Sequence, residues 1–162
     1  MNIEQVKLDL EKEWGHDPLF QKTLQLVTRL HSKQWRDGGE PYLNHLLRVA
    51  WRVSQMGLDI VIVALLHDCV EDHHITIDEL RAFGYDESTL DSVFDLTRDK
   101  NKENYCQFIV RISLCGRFAS IAVKVADLED NMMDGKEGAR LDKYRLSHYI
   151  LNGKLTEETR KM

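Results

Sequence analysis

Cysteine and proline are scarce in this sequence of 162 residues: there are three of the first and two of the second. Cys69, Cys106 and Cys115 contain no C-x-x-C pair and are odd in number. That argues against a disulfide framework and against a structural zinc site, and fits a reducing, cytoplasmic setting. No apolar run approaches the ~20 residues of a membrane span, and the opening M-N-I-E-Q-V-K has no signal-peptide character. Basic charge is also in short supply. Lys and Arg number 22 against 27 Asp and Glu, a formal net charge of −5, so a non-specific partner of polymeric nucleic acid is not expected. Strand signals are missing as well, since no segment alternates apolar and polar residues between hairpin turns. There is no internal repeat and no low-complexity linker.

What remains points to helices. With 43% hydrophobic and 30% charged residues, the length suits one compact domain over residues 1–162 with a sizeable core. The prolines, Pro18 and Pro41, sit where helices could begin, behind Asp17 and Glu40. Thr76 and Glu79 form a capping-box pattern, and Gly57, Gly84 and Gly116 suit helix stops. The pattern predicts helices near 3–14, 18–36, 41–56, 59–72, 77–83, 87–97, 102–115, 117–133 and 139–152, with a polar, loosely held tail from Gly153. The expected fold class is all-α, a single helical bundle.

One stretch carries chemistry. In A-L-L-H-D-C-V-E-D, residues 64–72, an apolar run turns abruptly into His67, Asp68, Glu71 and Asp72. On one continuous helix these four would share a broad polar face. Ile60 to Leu66 are apolar nearly all round, as in a central helix, so the polar end should meet a cleft. Carboxylates in a last turn oppose the helix dipole, a conflict that a metal would resolve; a helix end frayed into solvent is the alternative. Further ligands are available in His45, within P-Y-L-N-H-L-L-R-V-A-W, and Asp127, at the end of I-A-V-K-V-A-D. Two imidazoles and two carboxylates suit Mn²⁺, Fe²⁺, Co²⁺ or Zn²⁺ better than Ca²⁺. Taken singly, His45 also reads as a hydrogen-bonded core histidine and Asp127 as a capping carboxylate. Trp14, Trp35 and Trp51 read as packing residues, Cys69 as a small buried hydrophobe, and His73 and His74 as solvated.

The order H…HD…D resembles the HD-domain metal-dependent phosphohydrolases, and more closely the RelA/SpoT hydrolase domain with its small stand-alone relatives. H-S-K-Q-W-R-D-G-G-E-P-Y-L-N-H, residues 31–45, resembles that family's H-x-G-Q-x-R-x-x-G-x-P-Y-I-x-H. A-L-L-H-D-C-V-E-D-H-H-I-T-I-D-E-L is similar to A-L-L-H-D-x-V-E-D-T-x-x-T-x-x-E-L, and V-K-V-A-D-L-E-D-N-M to V-K-L-A-D-x-x-x-N-M. R-L-D-K-Y, residues 140–144, resembles the R-x-x-x-Y of stand-alone members, so the matching core runs over about residues 20–144.

The resemblance implies that His45, His67, Asp68 and Asp127 hold a divalent metal, usually Mn²⁺. It also implies that Glu71 and Asp72 position and deprotonate the attacking water. Arg36, Asn131, Arg140 and Tyr144 match positions that hold the nucleotide, and Lys124 stands as a further cation, or else as a snorkelling surface lysine. The implied activity is 3′-pyrophosphohydrolysis of guanosine tetra- or pentaphosphate by a stand-alone enzyme, a homo-oligomer being compatible. Another nucleotide substrate, such as NADPH or a deoxynucleotide, and a catalytically silent metal-binding module are the alternatives. Asp37 after Arg36, Leu128 after the fourth ligand, and Glu129 and Asp130 depart from the pattern. These departures add negative charge where a polyphosphate would sit.

Overall fold

A computed structural model describes residues 2–73, 75–133 and 137–159; His74 lies outside them, as does the side chain of His73. The chain runs through α1 (Ile3–Trp14), α2 (Pro18–Leu30), α3 (Tyr42–Arg52), α4 (Leu58–Leu66), α5 (Cys69–His73), α6 (Ile77–Ala82), α7 (Glu87–Leu96), α8 (Tyr105–Leu114), α9 (Phe118–Met133) and α10 (Gly138–Thr159). Among the described residues no strand forms, and the sole β-type contact is an isolated bridge between Trp35 and Pro41. No helix of the described chain is long and apolar enough to cross a membrane.

α4 is the axis of the bundle. Every residue from Ile60 to Leu66 is buried, because a helix that is apolar all round can lose no face to water. α2, α3, α7 and α9 pack around it. Phe20, Leu46, Leu65, Ile121 and Leu128 are among the fully buried side chains of the one core cluster that they share, and Cys69 is buried with them. α10 lies along α9 and also meets α8.

The predicted starts and stops are largely present. Asp17 accepts from the N–H groups of Leu19 and Phe20 above Pro18, and Thr76 with Glu79 makes a full capping box. Gly57 takes φ 111°, a left-handed angle that lets a 3-10 turn over Ser54–Met56 swing directly into α4.

Several boundaries differ from expectation. The helix predicted over 18–36 ends at Leu30, and residues 31–41 form a loop with Gly38 and Gly39 at φ 104° and 82° and the Arg36 N–H bonded to the Glu40 carbonyl at 2.8 Å. Glu40 does not cap α3; it pairs with Arg48. The helix predicted over 59–72 is broken after Leu66, so His67 and Asp68 lie in a turn between α4 and α5. α10 runs through Gly153 to Thr159, past the expected loose tail. Trp35 is 62% exposed on the 31–41 loop, so it does not serve as a packing residue, whereas Trp51 is half-buried and donates to Asp9.

Candidate metal centre

The break after Leu66 builds the site. His67 ends α4 with helical φ and ψ of −56° and −30°, and its Nδ1 lies 2.7 Å from the Ala64 carbonyl. A carbonyl can only accept, so Nδ1 carries the hydrogen and Nε2 presents a lone pair. His45, one turn into α3, is fixed by the same logic: its Nδ1 lies 2.8 Å from Asp130 Oδ2, which leaves Nε2 as the free acceptor. Asp127 projects from the middle of α9.

These atoms converge. His45 Nε2 is 3.2 Å from Asp127 Oδ1 and 3.8 Å from Asp68 Oδ2. His67 Nε2 is 3.1 Å from Asp68 Oδ2 and 3.8 Å from Asp127 Oδ1. Atoms bonded at about 2.0–2.2 Å to one ion stand ~3–4 Å from each other, so the spacing of His45, His67 and Asp127 fits a single small divalent cation, with Asp68 Oδ2 beside both imidazoles. His45, His67 and Asp127 are buried, and His67 Nε2 is an enclosed atom without a hydrogen bond. Two lone pairs aimed at two carboxylates make a nest of acceptors that only a proton or a cation can satisfy. The site therefore fits a divalent metal.

The protonation pattern tells the same story. Burial disfavours an imidazolium at His67, but Asp68 and Asp127 outweigh it and push its pKa up to about 10. Burial likewise opposes ionisation of Asp68 and Asp127. His67 nevertheless holds Asp68 well below the usual carboxylate range, and Lys124 with the two histidines does so for Asp127. A proton on His67 is thus the metal-free substitute for the ion.

Around these four lies a layer that the sequence reading treated differently. Asp130 is fully buried; besides His45 it accepts from Arg36 at 2.8 Å and from Arg48 at 2.7 Å. Burial opposes its charge, yet His45 and Arg48 hold its carboxyl far down. Asp130 was expected to add negative charge to a substrate cleft, and so was Glu129. Asp130 is instead neutralised inside the protein, and Glu129 pairs with Arg52 at 3.0 Å and His148 at 3.2 Å. The signal for Asp130 was its spacing: Asp127 and Asp130, like His45 and Arg48, are three residues apart on one helical face. Tyr42 belongs to the same layer. Its hydroxyl donates to Asp68 and its ring stacks on His31 at 5.2 Å, which fixes the most exposed of the four side chains.

The other anticipated residues divide between the centre and its rim. Lys124 is no snorkelling surface lysine, since its side chain is only 13% exposed with Nζ 2.6 Å from Asp127 Oδ2. Asn131 donates to both the backbone and the side-chain oxygens of Asp127. Arg36 is buried against Asp130 and Asn131. Glu71 is held by Lys100 at 2.8 Å and by the Arg98 N–H at 3.2 Å. Asp72 accepts from Gln34 at 2.9 Å, and its own N–H bonds to the Asp68 carbonyl at 2.9 Å, which preserves their one-turn register across the break. Arg140 and Tyr144 lie on α10, Arg140 exposed and 3.5 Å from Asp37.

Comparison with known proteins agrees with this geometry. A family model described as HD domain matches residues 23–102. The guanosine-3′,5′-bis(diphosphate) 3′-pyrophosphohydrolase of Aquifex aeolicus is 34% identical over 76% of this chain and 19% of its own length, and that of Vibrio cholerae 33% over 76% and 19%. This chain thus spans about a fifth of the length of these curated relatives. Among solved structures, a metazoan ortholog of SpoT that hydrolyses ppGpp superposes with a TM-score of 0.69 at 25% identity, over 90% of this chain and 96% of that one. With His45, His67 and Asp127 meeting where α3, α4 and α9 converge and Asp68 beside both imidazoles, in the order of the H…HD…D motif, the chain carries an HD domain and is homologous to the guanosine-3′,5′-bis(diphosphate) 3′-pyrophosphohydrolases.

Proposed function

We propose that the protein is a metal-dependent phosphohydrolase that removes the 3′-pyrophosphate from guanosine 3′,5′-bis(diphosphate), working in the cytoplasm with Mn²⁺. The observation that carries this reading is the nest of four acceptor atoms, His45 Nε2, His67 Nε2, Asp68 Oδ2 and Asp127 Oδ1, within 3.1–3.8 Å of their neighbours. Similarity to the 3′-pyrophosphohydrolases supports the substrate.

A divalent ion held by those four residues supplies a Lewis acid that polarises a phosphoryl oxygen and acidifies water. The chain supplies the rest. Glu71, oriented from both sides by Lys100 and the Arg98 N–H, accepts the proton of the attacking water. Asp72, held by Gln34, keeps that water aligned. Lys124 faces the charge that grows on the phosphoryl oxygens. Asn131, Arg140 and Tyr144 take the nucleotide, and Arg36 contributes by holding Asn131.

The test is the purified protein with Mn²⁺ against guanosine tetraphosphate, deoxynucleoside triphosphates and NADPH, with products separated by chromatography. Release of GDP and pyrophosphate from the first, in preference to the others, is the expected result. Hydrolysis of NADPH or a deoxynucleotide alone would overturn the substrate assignment, and no turnover of any of them would overturn the activity. Glu71→Gln should keep the metal and lose roughly 10²-fold or more in turnover, because it can no longer take a proton. Equal rates would remove Glu71 from the chemistry.

A further inference from the structure

Tyr105 opens α8, and its hydroxyl is buried without a hydrogen-bond partner among the described residues. Ser147, beside it, donates instead to the Lys143 carbonyl at 2.8 Å. The Nε of Arg98 is likewise buried and unpartnered, and that guanidinium lies 6.0 Å from the centre of the Tyr105 ring. Lys143 Nζ stands 4.2 Å from the same ring centre. On the inner side is Lys124, 5.1 Å over Phe108, whose ring meets Tyr105 edge-on at 6.2 Å. Three cations therefore close around one tyrosine in a chain whose net charge is −5.

The nearby carboxylates are already committed. Asp127 is shared by Lys124 and His45, and Glu71 by Lys100 and the Arg98 N–H. Among the described residues neither Arg98 nor Lys143 has an ion pair with a carboxylate. Enclosed donors without acceptors, here the Tyr105 hydroxyl and Arg98 Nε, are rare in native structures and are commonly completed by a ligand or water. With the exposed Lys143 ammonium beside them, they make a hydroxyl, a guanidinium and an ammonium, the set that binds phosphate oxygens. Lys124 bridges this cluster to the metal centre, since it touches Asp127 on one side and neighbours Tyr105 on the other. The cluster is thus one side chain farther out than the ligands.

We propose that Tyr105, Arg98 and Lys143 form a second phosphate subsite, which takes the diphosphate of the nucleotide that is not hydrolysed. The proposal rests on the reading of the substrate as a nucleotide with phosphate chains at two positions, one at the metal and the other here. It also explains how an acidic protein accommodates such an anion: the local field at this wall is positive although the total charge is not.

Binding separates this subsite from the chemistry. GDP, guanosine and inorganic pyrophosphate are titrated calorimetrically into the wild type, Tyr105→Phe and Lys143→Gln, with and without Mn²⁺, and hydrolysis of guanosine tetraphosphate is followed in parallel. Tyr105→Phe keeps the ring and its packing, and Lys143 is exposed on α10, so both variants should keep the wild-type circular dichroism. The wild type should bind GDP more tightly than guanosine. Each variant should weaken GDP by roughly tenfold and leave guanosine unchanged, since only a charge-assisted contact is lost. An unchanged GDP-to-guanosine ratio in both variants would overturn the proposal. So would a loss confined to inorganic pyrophosphate, which would assign these donors to the leaving group. A wild type that shows the GDP preference, loses it in the variants and yet hydrolyses no guanosine tetraphosphate would confirm the anion subsite and overturn the substrate reading instead.

Discussion

Glu129 and Asp130 are neighbours on α9, yet the first is 39% exposed at its side chain beside Arg52 and His148, while the second is fully buried under Arg36, Arg48 and His45. The same contrast separates the two regions of the candidate site. In the inner region, His45, His67, Asp127 and Asp130 are buried, Lys124 is partly so, and all are paired within the group, so each charge is fixed by the others. At the rim, Asp37, Lys100, Arg140 and Lys143 are exposed, and water competes with every pair they make. Removing one partner from a buried ionic set leaves the rest uncompensated, whereas an exposed pair contributes ~0–1 kcal/mol. Inner residues should thus decide whether a metal binds at all. Rim residues should only tune what else arrives.

The sharpest way to break this comparison is His67→Ala. It deletes one imidazole of the candidate centre and leaves Asp68 and Asp127 without it, so the metal equivalent should be lost and the metal-dependent rise in thermal midpoint should vanish with it. Metal analysis and melting curves of the same sample check both. A full metal equivalent in the variant would remove the proposed centre.

Asp130→Asn tests whether a residue that never touches the ion shares the inner character. The amide cannot offset Arg36 and Arg48 or orient the His45 imidazole as a carboxylate does. Metal affinity should fall by roughly 10–100-fold, the usual cost of disturbing an orienting partner. A competition titration with a chelating dye measures it, and wild-type affinity would demote Asp130 to packing.

Proton and metal should compete in the inner region alone. The folded pKa of His67 is raised from 6.5 to about 10, so in metal-free protein its stabilising charge is complete below about pH 6.5 and is lost as the pH climbs through about 10. A bound ion replaces that proton. The gap in thermal midpoint between loaded and chelator-treated protein should accordingly widen from pH 6.5 to 10. A constant gap across that range would mean that His67 is not shared between proton and metal.

The smallest effect belongs to the rim. Asp37 is 86% exposed at its side chain and 3.5 Å from Arg140. Asp37→Lys should release Arg140 and raise kcat/KM for a guanosine polyphosphate a few-fold at low salt. Added salt should shrink the gain, because exposed charges are screened within about 10 Å at 0.1 M. Identical values at both salt concentrations would place residue 37 outside the field of the site.

The residues that converge at the candidate centre were legible in the sequence because each closes or interrupts an apolar helical pattern: His67 after Ile60–Leu66, Asp127 after I-A-V-K-V-A, His45 among leucines. The helix break after Leu66 was not legible, since residues 58–72 contain neither Gly nor Pro and the side-chain bond from His67 to Ala64 exists only once the chain is folded. Asp130 was misread for a related reason. An acidic residue beside another acidic residue looks like a solvated face, and its partners Arg36 and Arg48 come from elements far away in the chain. Tyr105 offered no signal either, because burial of a hydroxyl without a partner is a three-dimensional property.

The ties at Asp130 also bear on how the molecule comes into being. They join residues 94, 85 and 82 positions apart, to Arg36, His45 and Arg48. Closing loops of that length carries an entropic cost before any contact is made, and here it is offset only when α3, α4 and α9 have packed together. A fragment ending before Asp127, or one beginning after Arg48, holds no centre, however well its helices form. During synthesis the chain therefore passes most of its length without a metal site, and the ion can be captured only once the last of the converging helices has emerged.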